Sequence, residues 1–183
     1  MGGHHLIMGT LNDYLTGNSL EDTHDERYRQ KIARFLVKKK GYAKSDIKPR
    51  SQLIVNAGSR KGKLWVDFLI SVENRTAMMI KYAPGSLVTR HRSTLAMSRL
   101  VSAGQILVVV VTNGETADIM DGRTGKITAS GFDEIPSRNE LSNHAARSEF
   151  IPIPAERAEM EARIVYACEI EGSCPCDDTT CRL

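Results

Sequence analysis

Residues 65–85, "WVDFLISVENRTAMMIKYAPG", read as two apolar strands joined by a polar turn. Asp67 sits inside the first apolar run and Lys81 inside the second, where an unpaired charge is costly. Strand side chains alternate with period two, so residues 79 and 81 share a face. An acid at position 79 would therefore stand beside Asp67 and Lys81. The residue there is Met79.

Working outward, "THDERYRQKIARFLVKKKGY" carries Tyr28, Ile32, Phe35 and Leu36 at helical spacing. Thr23 or Asp25 can cap its start, and Gly41 is a stop signal. A strand is expected over 52–57, the hairpin strands over 64–72 and 76–82, and a helix from "SLVTRHRSTLAMSRLVSAG" ending near Gly104. Strands follow over 106–112 and 116–120. "SRNE" at 137–140 has the spacing of a capping box, and a last helix over 155–170 buries Met160, Ile164 and Ala167 or Cys168. A helix between the second hairpin strand and strand 106–112 implies a crossover. The expected fold is mixed α/β, with a central mixed sheet flanked by helices on both faces. Three segments are expected: a loose arm over 1–22, a core over 23–150, and a helix with a cysteine-containing tail over 151–183.

At 183 residues, 41% hydrophobic and 26% charged, the composition is that of a soluble globular domain. The longest aliphatic run, "ILVVVV" at 106–111, is too short to span a bilayer, and no signal peptide is apparent. Cytoplasm is the default location. The net charge of +3 conceals an asymmetry: residues 27–63 hold 13 Lys and Arg against the single acid Asp46. Such a block suits a polyanion-facing surface, and it equally suits a solvated helix face followed by a lysine-rich loop.

The opening helix "DERYRQKIARFLVKKKGY", then "VDFLI", "MMIKYAPG", "VVVVTNG" and "PSRNEL", in this order and spacing, resemble the PD-(D/E)xK nuclease superfamily. The resemblance is closest to the N-terminal domain of type I restriction enzyme R subunits and their stand-alone relatives, over residues 26–138. It implies a restriction-endonuclease-like core with Glu26, Asp67 and Lys81 as catalytic residues. The two acids would hold Mg²⁺, which polarises a phosphodiester and activates water, and Lys81 would orient the nucleophile or neutralise developing charge. The chain departs from the pattern at Met79, where the second acid belongs, and in lacking a Gln-x-x-x-Tyr element on the next helix. A thioether does not replace an oxygen ligand for Mg²⁺. Losing that carboxylate should cost at least about 10–100-fold in metal affinity or activity.

The expectation is a catalytically impaired module that binds DNA or serves restriction as an accessory. The alternative is an active Mg²⁺-dependent endodeoxyribonuclease with an unconventional ligand set. A third reading is a structural or partner-binding domain whose cysteine tail is the functional part, and the plain structural account makes Asp67 and Lys81 a cross-strand ion pair with Met79 as packing.

Candidates for phosphate contact are Arg27, Arg34, Lys38, Lys39, Lys40, Arg60, Lys61, Lys63, Arg90 and Arg92. Only 5% of residues are aromatic, so duplex backbone contact is favoured over base stacking. Cys168, Cys174, Cys176 and Cys181 are candidate ligands for Zn²⁺ or an iron–sulfur cluster, although their spacing matches no standard pattern. No P-loop or helicase motif is present, so motor activity would come from other protein subunits. Oligomeric state is left open, and no membrane partner is expected.

Overall fold

The computed structural model describes residues 7–171 and 180–183. In chain order the elements are β1 (Thr10–Asn12), β2 (Ser19–Glu21), α1 (His24–Lys38), β3 (Ile47–Ala57), β4 (Arg60–Val72) and β5 (Arg75–Tyr82). There follow α2 (His91–Leu100), β6 (Val108–Thr112), β7 (Ala117–Asp121), β8 (Ile127–Ser130), α3 (Arg138–Ala146), α4 (Ala155–Val165) and β9 (Thr180–Arg182). Glu73 and Asn74 turn the chain between β4 and β5, both with positive φ (50 and 60). That pair of left-handed residues suits the right-handed twist of a two-residue hairpin.

The sheet has seven strands in the order β3-β4-β5-β6-β7-β8, with β9 added to β4. Only β5 and β6 are parallel, joined through α2, and the other pairs are antiparallel. Every residue of β6, "VVVVT", is buried, as expected of a strand covered on both faces. On one face, Ile32 and Leu36 of α1 and Leu141 of α3 pack on Ile70, Ile80 and Val110. On the other, Met97 of α2 and Val165 of α4 pack on Val66, Met79 and Val109. Each such fully buried aliphatic stabilises the fold by about 1.5–3 kcal/mol relative to exposure. The mixed sheet with helices on both faces is thus the architecture expected from the sequence.

Along β4, Leu64 and Val66 face α2 and α4, whereas Phe68, Ile70 and Val72 face α1 and α3. β3 changes phase likewise: Leu53, Val55 and Ala57 lie on the first side and Ile47 on the second. The β3–β4 register is the same on both sides of residue 50, and the one position it skips, Arg50 against Asp67, is where the change falls. Arg50 takes a left-handed φ of 48, which reverses the alternation in its strand. Simple alternation cannot show this slip.

Several elements differ from expectation. Residues 10–21, expected as a loose arm, form the β1–β2 hairpin, and beyond β1 the Tyr14 N–H donates to Gln30 Oε1 of α1 at 2.7 Å. Strand β8 was not anticipated, because "ITAS" is mostly exposed and shows little apolar alternation. α4 is rotated from the expected face: Met160 is 50% exposed, and Glu161, Ala162 and Val165 are buried instead. Glu161 can be buried because Arg92, Arg99 and Arg157 surround it at 2.6, 2.5 and 2.7 Å.

Candidate functional site

β4 and β5 pair from Val72↔Arg75 to Phe68↔Ile80 and then separate. Asp67 is the next β4 residue, and its carboxylate takes over the ladder: Oδ2 accepts from the Tyr82 backbone N–H at 2.9 Å. Lys81 Nζ lies 3.4 Å from the same oxygen and 3.4 Å from the Trp65 carbonyl. The convergence of Asp67 and Lys81 is therefore real in this structure, and it fills the gap between the separating strands.

α1 supplies the rest. Thr23 caps it by accepting from the Glu26 N–H at 3.1 Å. The stripe Glu26, Arg29 or Gln30, Ala33 and Leu36 then repeats at three and four residues and faces the sheet. Arg29 Nε donates to Asp67 Oδ1 at 2.6 Å, and Arg29 Nη1 is 3.9 Å from Glu26 Oε2. Glu26 Oε1 accepts from Gln30 Nε2 at 2.8 Å and from Arg50 Nη2. Arg50 Nη1 continues to Asp13 Oδ2 at 3.2 Å, and Gln30 Nε2 also reaches Asp13 Oδ1 at 2.9 Å. The result is a chain of alternating charges, Asp67–Arg29–Glu26–Arg50–Asp13, with Lys81 at one end.

Burial alone would raise the Asp67 carboxyl. Lys81, Arg29 and the Tyr82 N–H together outweigh it and hold that group below the ordinary carboxylate range. Burial likewise opposes the Arg29 charge, but Asp67 and then Glu26 raise its affinity for the proton. Asp67 and Arg29 thus form an ionised, mutually compensating pair.

Met79 does not belong to it. It is 0% exposed, opposite Leu69, in the cluster beneath α2 and α4. The β5 side chains on the α1 side are Ala77, Met78, Ile80 and Tyr82. Tyr82 stacks on Tyr28 of α1 with centroids 5.7 Å apart, lies 5.3 Å beneath the Arg29 guanidinium, and donates from its hydroxyl to Asp25 Oδ1 at 3.1 Å. Burial and then Asp25 push the Tyr82 phenol upward, so it stays protonated. Position 79 supplies no oxygen ligand, and its side chain packs in the core beneath α2 and α4. The phase slip at Asp67 lets its carboxylate meet Arg29 of α1.

The "TNG" turn closes the edge. Asn113 Oδ1 accepts from the N–H groups of Glu115 and Thr116, each at 3.0 Å, and the Gly114 carbonyl accepts from Lys31 Nζ at 2.7 Å. Gly114 has φ 85, and a Cβ there would lie 2.2 Å from Tyr28 Cδ1. Glycine is required at this position for both reasons.

A family model for the type I restriction enzyme R protein N terminus matches residues 24–136, from the first residue of α1 to the approach to α3. The chain belongs to this family. No characterised protein and no solved structure matches it significantly. As a member of the R-protein N-terminal family, it is a restriction-related, nuclease-like module on a mixed α/β fold.

The basic block of this family member is divided among several duties. Arg29 and Arg50 are drawn into the centre. Among the expected phosphate contacts, Arg27 pairs with Asp22 at 2.7 Å, Arg60 with Glu171 at 3.1 Å, Arg90 with Glu169 at 3.8 Å and Arg92 with Glu161 at 2.6 Å. Arg34 lies over the Tyr14 ring, and Lys40 donates to the Asp133 carbonyl at 2.5 Å. Lys38, Lys39, Lys61 and Lys63 have no ion pair among the described residues. α1 carries Lys38 roughly 18 Å along its axis from Glu26, at about 1.5 Å per residue.

Of the four cysteines, Cys174 and Cys176 lie outside the described residues. Cys168 and Cys181 are exposed free thiols. Among the described residues no group of His, Cys, Asp or Glu is arranged to hold a metal ion, and no helix is long and apolar enough to cross a membrane.

Arg29, Arg50, Gln30 and Asp13 were missed in the sequence. Arg29 follows Glu26 by three residues on one helix face, which was a usable signal. Arg50 had none, because its role depends on a left-handed backbone after Pro49.

Proposed function

We propose that this chain is a PD-(D/E)xK-type module that contacts duplex DNA and does not cut it, serving restriction alongside other subunits. The observation that carries this reading is the saturation of Asp67. One oxygen is taken by Arg29, the other by Tyr82 N–H and Lys81, while β5 presents Ile80 and Tyr82 to α1 and no carboxylate. Mg²⁺ requires several oxygen ligands at about 2.0–2.1 Å, and the residues here do not supply them.

DNA contact is supported by the β3–β4 hairpin, which continues past Asp67 to Ala57↔Arg60. Lys61 and Lys63 stand on this arm, on the face away from α4, because Gly62 between them meets Ile170 of the turn that follows α4. Ammonium groups spaced along an extended arm suit phosphates of a duplex backbone.

Fluorescence anisotropy with duplex DNA tests the reading. Affinity should fall as salt rises, and a Lys61→Ala, Lys63→Ala variant should lower the log–log salt slope by roughly 1.8. The same weak signal at low and high salt would refute DNA contact.

A further inference from the structure

We propose that the Arg29 guanidinium permanently fills the position a divalent cation would take between Asp67 and Glu26, making this centre a closed internal clasp. This deepens the non-cleaving reading and rests on it. Arg29 Nε is 2.6 Å from Asp67 Oδ1 and Arg29 Nη1 is 3.9 Å from Glu26 Oε2, so one side chain spans both carboxylates.

The charges close. Asp13, Glu26 and Asp67 are matched by Arg29, Arg50 and Lys81 in one connected network. A divalent ion added there would face a guanidinium at contact range, and the further acid that acts on Arg29, Asp25, is engaged by the Tyr82 hydroxyl. A lysine could make room by releasing its proton when buried, but a guanidinium does not deprotonate in proteins. Arg29 is also held in place: its guanidinium lies 5.3 Å over the Tyr82 ring, and Tyr82 is itself anchored to Asp25 and stacked on Tyr28. The oxygen set needed for a hard cation is therefore present in part, but a fixed organic cation already occupies it.

The test is Mn²⁺ binding to the full chain without DNA, read by electron paramagnetic resonance, for the wild type, Arg29→Ala and Arg29→Met. The methionine keeps an apolar stem over Tyr82 if the alanine variant fails to fold. Removing the guanidinium should tighten Mn²⁺ binding by at least about tenfold, a gain that Asp67→Asn added to the same variant abolishes. Mn²⁺ should also raise the melting temperature of the Arg29 variants and leave the wild type unmoved.

Asp67-dependent Mn²⁺ binding by the wild type would overturn the proposal. So would a folded Arg29 variant that binds no more tightly, or loss of fold in both variants that Mn²⁺ does not restore. Because the assay contains no DNA, these failures leave the non-cleaving reading standing. Nicking by the wild-type chain would overturn that reading separately.

Discussion

Arg29 and Asp67, 38 positions apart in sequence, meet through a 2.6 Å charge-assisted hydrogen bond that ties the first helix of the domain to its central hairpin. This contact substitutes a side-chain cation for whatever else an aspartate at a strand fork could bind. It also makes the centre a contributor to stability whose strength depends on the Asp67 charge.

The pH dependence follows with a definite sign. The Asp67 carboxyl titrates below its ordinary value in the folded chain, although burial opposes this, because Lys81 and Arg29 favour the anion. Its contribution is present above about pH 4 and is lost as pH falls through the lowered folded value. Asp67→Asn should cost about 3 kcal/mol at pH 7. Urea unfolding of the two proteins should show that gap narrowing below about pH 4. A gap that widens in acid would contradict the ionised centre.

Placing an acid at position 79 should harm the fold without creating a cation site. Met79 is fully buried in the apolar cluster with Leu69, Val66 and Val109. Met79→Glu would leave an uncompensated charge there, at a cost on the order of 4 kcal/mol. Thermal melts with and without Mn²⁺ check this. A variant of wild-type stability that Mn²⁺ stabilises further would show that residue 79 reaches the Asp67 centre after all.

Gly114→Ala should disturb the aromatic pair at a distance from its own turn. The added Cβ would press on Tyr28 at 2.2 Å, in a backbone with φ 85, and Tyr28 stacks on Tyr82. A cost of about 2 kcal/mol is expected, with a loss of the near-ultraviolet circular dichroism of the tyrosines. An unchanged spectrum at wild-type stability would contradict the role given to this glycine.

A second buried ionic contact holds α2 to α4. Burial would raise the Glu161 carboxyl, but Arg92, Arg157 and Arg99 bring it below the ordinary range. Glu161→Ala strands the buried Arg99 and should cost about 3 kcal/mol. Arg92 is half-exposed and free to turn to water, so Arg92→Ala should cost no more than about 1 kcal/mol. Chemical denaturation of the two variants separates them, and equal costs would refute this division.

The legible parts of the sequence were those governed by local rules. Ser137 and Glu140 form the reciprocal cap that "SRNE" announced, and the valine run of β6 lies in the covered parallel strand. The meeting of Asp67 and Lys81 followed from two adjacent strands. What could not be read depended on a break in periodicity. The slip opposite Arg50 lets Asp67 reach Arg29 of α1, a contact that counting along β4 and β5 alone does not reveal. Glu161 was misplaced for a related reason: three arginines distant in sequence make its burial favourable, and helical spacing alone favoured Met160.

The most direct test of the account is a supercoiled-plasmid assay with Mg²⁺ or Mn²⁺, comparing the wild-type chain with Asp67→Ala. A centre closed by Arg29, Arg50 and Lys81 should give no nicking above that variant. Robust nicking that disappears with Asp67 would mean the guanidinium yields to a metal, and the chain would then be an active endonuclease.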